Sequence, residues 1–159
     1  MTPDQIYNSD QIDNSELKSR ILALIEGEDD VIAKMATVTC EVFHNRNGFD
    51  WVGFYRVTSP QMLKIGPYQG GHGCLQIPFD RGVCGAAARE EKTQLVDDVD
   101  AFPGHIACSS STRSELVLPC FDASGALIAV FDIDSDTPAF FTAQDQAFYE
   151  DLLSQIFSS

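Results

Sequence analysis

The chain has 159 residues, of which 44% are hydrophobic and 21% charged, and its formal net charge at pH 7 is −14. This length is typical of one domain with a continuous hydrophobic core. The excess of 24 acidic over 10 basic residues argues against nucleic acid as a partner, because phosphate backbones are bound by clusters of Lys and Arg.

The apolar runs are all shorter than the ~18 residues that a membrane-spanning helix needs. The start, MTPDQIYNSD, lacks the basic residues and apolar stretch of a secretion signal. We therefore expect a cytoplasmic protein with no membrane association. Five cysteines are an odd number for a framework of structural disulfides, so we expect free thiols.

Helical periodicity appears at both ends of the chain. Residues 1–14 are polar and predict a loosely attached N-terminal arm, and residues 15–159 are predicted to form a single domain. Apolar residues at helical spacing predict helices at residues 15–25, 31–44 and 83–90, and a last helix that begins at Thr142. Asp145, three residues after Thr142, completes a variant of the capping box.

Strand patterns occupy the middle of the chain. They lie at residues 49–57, 62–65, 75–77, 93–96, 116–121 and 127–133. The turn from Asp122 to Gly125 joins the last two as a hairpin. Pairs of strands with hairpin connections and helices at both ends predict an α+β fold, in which helices flank a mostly antiparallel sheet.

Three cysteines lie in segments that suit thiol chemistry. Cys84 belongs to DRGVCGAAA, a glycine turn that leads into a helix, and Cys108 ends the irregular segment FPGHIAC. A helix start lowers the pKa of a thiol, and His105 could stabilise a thiolate at Cys108. Each has a structural alternative: Cys84 as a small helix-packing residue and Cys108 as an incidental loop residue. Cys74, in GGHGCLQIP, is equally well a third redox thiol or a hydrophobic strand-edge residue.

A metal site is a weaker interpretation of the same segments. His72, Cys74, Cys84, His105 and Cys108 are potential soft ligands, but their spacings are H-x-C and H-x-x-C without any C-x-x-C pair. Zinc sites usually contain such pairs, so we predict no metal site.

Acidic and aromatic residues form a second group of candidates. Glu115 precedes an apolar strand, and Asp132 and Asp134 alternate at the end of the next strand, which places both aspartates on one face of the sheet. Such a cluster repels itself unless it binds a cation. Trp51 and Tyr55 share a strand and predict an aromatic wall. The alternatives are an ordinary acidic strand end and aromatic core packing.

The order of the motifs resembles a known family. The motifs are WVGFY (51–55), GPYQG (66–70), RGVCG (81–85), FPGHIAC (102–108), SELVLP (114–119) and DIDS (132–135). Together they resemble the free methionine-(R)-sulfoxide reductases, a GAF-domain family, over about residues 15–157. The resemblance implies a GAF-like fold.

The resemblance also implies a role for each candidate residue. Cys108 would attack the sulfoxide sulfur, Cys84 would be the resolving cysteine, and Cys74 would be an auxiliary partner. The pocket would be lined by Trp51, Tyr55, Glu115, Asp132 and Asp134. Carboxylates suit the ammonium group of the substrate, backbone amides of RGVCG suit its carboxylate, and one neutral carboxyl would protonate the sulfoxide oxygen.

The resulting expectation is a thiol-dependent reductase of free methionine (R)-sulfoxide. It would proceed through a cysteine sulfenic acid and an intramolecular disulfide, which a thioredoxin-like protein would reduce. No cofactor is expected, and the oligomeric state is left open, a homodimer included. One alternative is a GAF module that senses a small ligand or redox state without catalytic turnover, and another is a metal-binding protein.

Overall fold

An antiparallel sheet organises residues 11–159, the residues that this computed structural model describes. The strands are β1 (Trp51–Ser59), β2 (Met62–Gln69), β3 (Gln76–Pro78), β4 (Gln94–Val96), β5 (Ser114–Phe121) and β6 (Leu127–Ser135). The helices are α1 (Asn14–Leu24), α2 (Val31–His44), α3 (Gly82–Glu90) and α4 (Ala143–Phe157). The strand order is β3-β2-β1-β6-β5-β4, and each neighbouring pair is antiparallel. This arrangement confirms the predicted α+β fold.

The two faces of the sheet carry different helices. Even-numbered residues of β1, such as Phe54, pack with Leu17 of α1, Val38 of α2 and Leu152 of α4 in one hydrophobic cluster. Odd-numbered residues of β1, such as Tyr55, pack instead against α3 in a second cluster. This division follows from the alternation of side chains along a strand. The α3 face carries the candidate site.

The start of the chain differs from the prediction. Residues 1–10 of the predicted arm lie outside the described residues, but Asp13 and Asn14 belong to the start of α1. The side chain of Asp13 caps the helix by accepting a hydrogen bond of 2.8 Å from the amide of Glu16. Arg46 holds the same segment by donating to the carbonyl of Ile12 at 2.8 Å. The polar residues that suggested an arm therefore include a helix cap.

Local signals predicted most of the other boundaries. The capping box of Thr142 and Asp145 is present at the start of α4. The turn after β5 is held by Asp122, whose Oδ1 accepts from the amides of Ser124 and Ala126. Strand β2 extends to Gln69, beyond the predicted strand, because the chain continues to pair with β1. A short 3-10 helix at Val99–Ala101 was not predicted.

A close approach at Gly53 shapes the α3 face. A Cβ at this position would lie 2.6 Å from the ring of Trp51 and 2.5 Å from Cβ of Tyr68. Glycine therefore allows the Trp51 ring to lie against β1 and β2.

None of the helices within residues 11–159 combines the length and the apolar character that a membrane span requires.

Candidate active site

Three carboxylates come together through the register of the sheet. Asp134 of β6 lies between Trp51 of β1 and Glu115 of β5, and Asp132 lies two residues earlier on the same face. One carboxylate oxygen from each of Glu115, Asp132 and Asp134 lies within 4.8 Å of the other two. The sequence prediction that these acids share a face is correct, and the structure places Glu115 with them.

Burial makes this cluster electrostatically costly. Glu115 is 9% exposed and Asp132 is 5% exposed. Within the described residues, Oδ1 of Asp132 and Oδ1 of Asp134 are enclosed and have no hydrogen-bond partner. Burial, followed by the charge of Glu115, raises the pKa of Asp132 to about 7. Burial and then the charge of Asp132 raise the pKa of Asp134 well above its ordinary value.

The carboxyl groups of Asp132 and Asp134 also affect each other, because a hydrogen bond between them raises the pKa of Asp134 and lowers that of Asp132. Two carboxyl groups can share such a bond only if one of them carries a proton. The raised pKa values of both aspartates therefore favour a singly protonated Asp132–Asp134 pair beside Glu115.

Cys84 is a buried thiol in this cluster. It lies in the first turn of α3, lines the pocket and forms a hydrogen bond with Asp132. Burial, and then the negative charges of Asp132 and Glu115, raise the pKa of Cys84 well above its usual value. The expectation that the helix start favours a thiolate here is wrong, because these effects outweigh the helix dipole. A protonated thiol is a poor nucleophile.

The disulfide in the structure joins Cys74 and Cys108. Their Cα atoms are 5.2 Å apart, and Cys84 is free. The pairing of Cys84 with Cys108 that the family resemblance implied is therefore not the pairing found. Cys74 follows β2 and Cys108 lies in the irregular segment before β5, and both are partly exposed. Cys84 is instead held in the interior by helix α3 and Asp132.

Trp51 and Tyr55 form the aromatic side of the pocket. Their rings stack with centroids 5.7 Å apart and an angle of 23° between the ring planes. The ring of Tyr68 also stacks with Trp51, with the ring centroids 5.4 Å apart. The Nε1 atom of Trp51 donates a hydrogen bond of 2.9 Å to the carbonyl of Gly71. Burial and the charge of Asp132 raise the pKa of Tyr55, so its hydroxyl stays protonated. Both residues line the pocket and also belong to the core.

His105 faces the carboxylates. Its Nε2 lies 3.7 Å from Oε1 of Glu115, an ion-pair distance, and the interaction with this carboxylate raises the pKa of His105, although burial opposes the rise. A protonated His105 would partly balance the charge of Glu115. The sequence interpretation had assigned it to the thiolate of Cys108 instead.

The pocket between these groups is small. Its cavity has a volume of about 40 Å³, and Cys108 lines it whereas Cys74 does not. The lining also includes Ile77, Val83, Ile106, Ser109 and Thr112, which the sequence analysis did not select. The signals for Ile106 and Val83 were their places inside FPGHIAC and RGVCG. Ile77, Ser109 and Thr112 had no such signal, because their approach depends on how distant segments fold over the sheet.

The carboxylate cluster is chemically suited to a cation. Its oxygen atoms could hold a hard metal ion or an ammonium group. The proton on the Asp132–Asp134 pair favours the ammonium group, since a metal ion would have to displace it. The sequence analysis also considered a metal site with soft ligands. Two of those ligands, Cys74 and Cys108, are bonded to each other in a disulfide.

Comparison with known proteins agrees with this geometry. The model of the GAF domain matches residues 27–157. An Escherichia coli protein named free methionine-R-sulfoxide reductase is 35% identical over 142 residues, which cover 89% of this chain and 85% of that protein. The chain belongs to the GAF-domain family of free methionine-R-sulfoxide reductases. It is therefore an oxidoreductase, as the sequence resemblance implied.

Two solved structures of this reductase family have the same fold. The free methionine-R-sulfoxide reductase of Neisseria meningitidis, in complex with its substrate, is 40% identical with a TM-score of 0.84, and the match covers 89% of this chain and 84% of that one. The reduced form of fRMsr from Staphylococcus aureus is 36% identical with a TM-score of 0.87, and the match covers 91% and 93%.

The raised pKa of Asp132 predicts how stability changes with pH. As the pH rises above about 4, the unfolded chain loses this proton first, so the folded state becomes progressively less favoured until about pH 7. Asp132→Asn should therefore increase the free energy of unfolding at pH 8, on the order of 2–4 kcal/mol, and have little effect at pH 3. Urea denaturation at the two pH values measures this difference.

Asp122→Asn is the matched control for this experiment. The pKa of Asp122 is lowered by hydrogen bonds, first from Ser124, so its replacement should destabilise the protein at pH 8. If Asp132→Asn lowered the free energy of unfolding by the same amount at pH 8 and at pH 3, the result would contradict the proposed protonation of the buried pair.

Proposed function

We propose that this chain reduces free methionine (R)-sulfoxide to methionine, with Cys108 as the nucleophile. The observation that carries the proposal is the convergence of Cys108, three carboxylates and an aromatic wall on one pocket. The E. coli and N. meningitidis relatives, named for the same reaction, support it. We further propose that residues 15–159 act as one catalytic domain.

Each part of the substrate has a complementary group in the pocket. The ammonium group would bind Glu115 and lie near the face of Trp51, where carboxylate and aromatic ring both attract a cation. The substrate carboxylate would bind amides in the first turn of α3, those of Val83 and Cys84, because the N-cap Arg81 supplies no side-chain hydrogen bond to this turn. The amide of Gly82 is already used, since it donates to the carbonyl of Gly104 at 2.9 Å. Recognition of both charges excludes a methionine sulfoxide within a peptide, because peptide bonds remove them.

The Asp132–Asp134 pair would supply the proton for the sulfoxide oxygen. A sulfoxide oxygen is a poor leaving group unless it is protonated. Cys108 Sγ would form a bond to the sulfoxide sulfur while the pair protonates the oxygen, and the thiol proton of Cys108 would restore the pair. The hydroxyl group then moves from the substrate sulfur to Cys108 Sγ, and the bond between the two sulfur atoms breaks. Methionine leaves with its sulfur reduced by two electrons, and Cys108 remains as a sulfenic acid.

Cys74 is the better candidate for resolving this sulfenic acid. Attack of the Cys74 thiolate on Cys108 Sγ releases the oxygen as water and forms the bond between Cys74 and Cys108. In the disulfide-bonded form, the Cα atoms of Cys74 and Cys108 are 5.2 Å apart, a separation that a disulfide spans. The role left for Cys84 is to donate its S–H hydrogen bond to Asp132 and so orient the proton donor.

A thioredoxin-like protein would then reduce the disulfide. We place the enzyme in the cytoplasm, where such reductants keep thiols reduced. The chemistry requires no organic cofactor and no metal ion. A homodimer is compatible with the site, because a single chain supplies the pocket residues described here.

An assay with defined substrates tests the proposed function. With dithiothreitol as reductant, the enzyme should convert the R epimer of free methionine sulfoxide to methionine, and product methionine is quantified. The S epimer and N-acetylmethionine sulfoxide should be poor substrates, the latter by about tenfold or more in kcat/KM because its ammonium group is missing. Equal rates on the acetylated and free forms would show that the carboxylates do not read the amino group. Binding without product would indicate a sensor module.

Single-turnover experiments on cysteine variants test the assignment of the three thiols. Cys108→Ser should release no methionine, because it removes the nucleophile. Cys74→Ser should release about one equivalent per active site but should not turn over with thioredoxin, since no disulfide forms. Cys84→Ser keeps a hydrogen-bond donor beside Asp132 and should retain both the burst and thioredoxin-driven turnover. Loss of disulfide formation in Cys84→Ser, with its retention in Cys74→Ser, would instead make Cys84 the resolving cysteine.

A further inference from the structure

The disulfide presents its two sulfur atoms to different surroundings. Cys108 lines the substrate pocket, whereas Cys74 lies outside it on the loop between β2 and β3. Leu75, the next residue, is 71% exposed, more than Leu24 at 58% or any of the other exposed large hydrophobic residues described. The side chain of Leu75 is therefore available for contact directly beside the disulfide.

The segments on both sides of the disulfide are also free of negative charge. Residues 69–79 and 101–113 contain no Asp or Glu, although the chain has 24 acidic residues in total. Gln76, Ala107 and Ser109 are exposed there and uncharged. We name Leu75, Gln76, Ala107 and Ser109 the disulfide rim. It is an uncharged area, with Leu75 as its large apolar residue, on a strongly acidic protein, so an acidic partner would meet little repulsion there.

We propose that the disulfide rim is the docking surface for the reducing protein, a dithiol protein with an apolar contact area, and that its thiolate attacks Sγ of Cys74. This inference rests on the proposed reductase function. The partner must reach the disulfide to act on it. Cys74 lies outside the pocket and next to the exposed Leu75, whereas Cys108 lines the small substrate pocket, which does not admit a protein.

The exchange is balanced in two steps. The partner's first thiolate forms a bond to Cys74 Sγ, and the bond between Cys74 and Cys108 breaks, so Cys108 leaves as a thiolate. The partner's second thiol then attacks the partner sulfur of the mixed disulfide and releases Cys74. The partner is oxidised to its disulfide, and the enzyme gains two electrons and two protons.

This direction of attack benefits the next catalytic cycle. The sulfur that leaves is Cys108, and it leaves into the pocket where the next substrate binds. Attack on Cys108 would instead leave the partner covalently attached at the substrate pocket during exchange. The enzyme would then have to release the partner before substrate could enter.

A charge placed on the rim tests the docking surface. In Leu75→Asp, KM for thioredoxin should rise at least about fivefold, the cost expected for a central interface residue. Turnover with dithiothreitol, and KM for methionine sulfoxide, should be unchanged. Leu24→Asp is the matched control, because Leu24 is also exposed but lies on α1, which packs on the opposite face of the sheet. An unchanged thioredoxin KM in Leu75→Asp would overturn the proposal.

Trapping the mixed disulfide tests which sulfur is attacked. Thioredoxin whose second active-site cysteine is replaced by serine cannot complete the exchange and should remain bound to the oxidised enzyme. Peptide mapping should find it on Cys74. Attachment of thioredoxin to Cys108 would overturn the proposal. A changed sedimentation coefficient of Leu75→Asp in the absence of thioredoxin would also overturn it, in favour of an interface between two copies of this chain. Failure of dithiothreitol-driven turnover in the wild type would instead reject the reductase function itself.

Discussion

The mutual repulsion of three buried carboxylates is the constraint on which the site depends. The register of β5 and β6 forces Glu115, Asp132 and Asp134 together, and their burial prevents water from screening the charges. The cluster can lower its free energy by retaining a proton or by binding a cation. A substrate that brings an ammonium group and accepts a proton uses both responses. The same features that make the cluster costly in the empty protein therefore make it suitable for sulfoxide reduction.

In the proposed mechanism, the carboxylates also give the thiols different roles. Burial and negative charge raise the pKa of Cys84, so it would act as a hydrogen-bond donor to Asp132. Cys108 lines the pocket in an irregular segment, where it would bond to the substrate oxygen and then to Cys74. Because Cys74 lies outside the pocket, the reducing protein would act on the disulfide from the surface, whereas the substrate would meet the reduced Cys108 inside the pocket.

The sequence predicted the features that depend on local periodicity. Alternation in β6 placed Asp132 and Asp134 on one face, and the Thr142–Asp145 capping box marked the start of α4. The pairing of Cys74 with Cys108 could not be predicted in this way, because it joins residues 34 apart through two irregular segments. The run of alanines after Cys84 carried the alternative in which Cys84 is a small helix-packing residue, and the structure buries Cys84 together with this turn of α3. A helix start favours a thiolate only when the thiol is not buried among carboxylates.

The protonation state of the aspartate pair is the most direct test of this account. Infrared difference spectra of the substrate-free enzyme between pH 5 and pH 9 would report the carbonyl stretch of protonated carboxyl groups. The account predicts a protonated-carboxyl band that disappears with a midpoint of about 7 or above and is missing from the Asp132→Asn/Asp134→Asn double variant. Complete ionisation of all carboxyl groups already at pH 5 would contradict it.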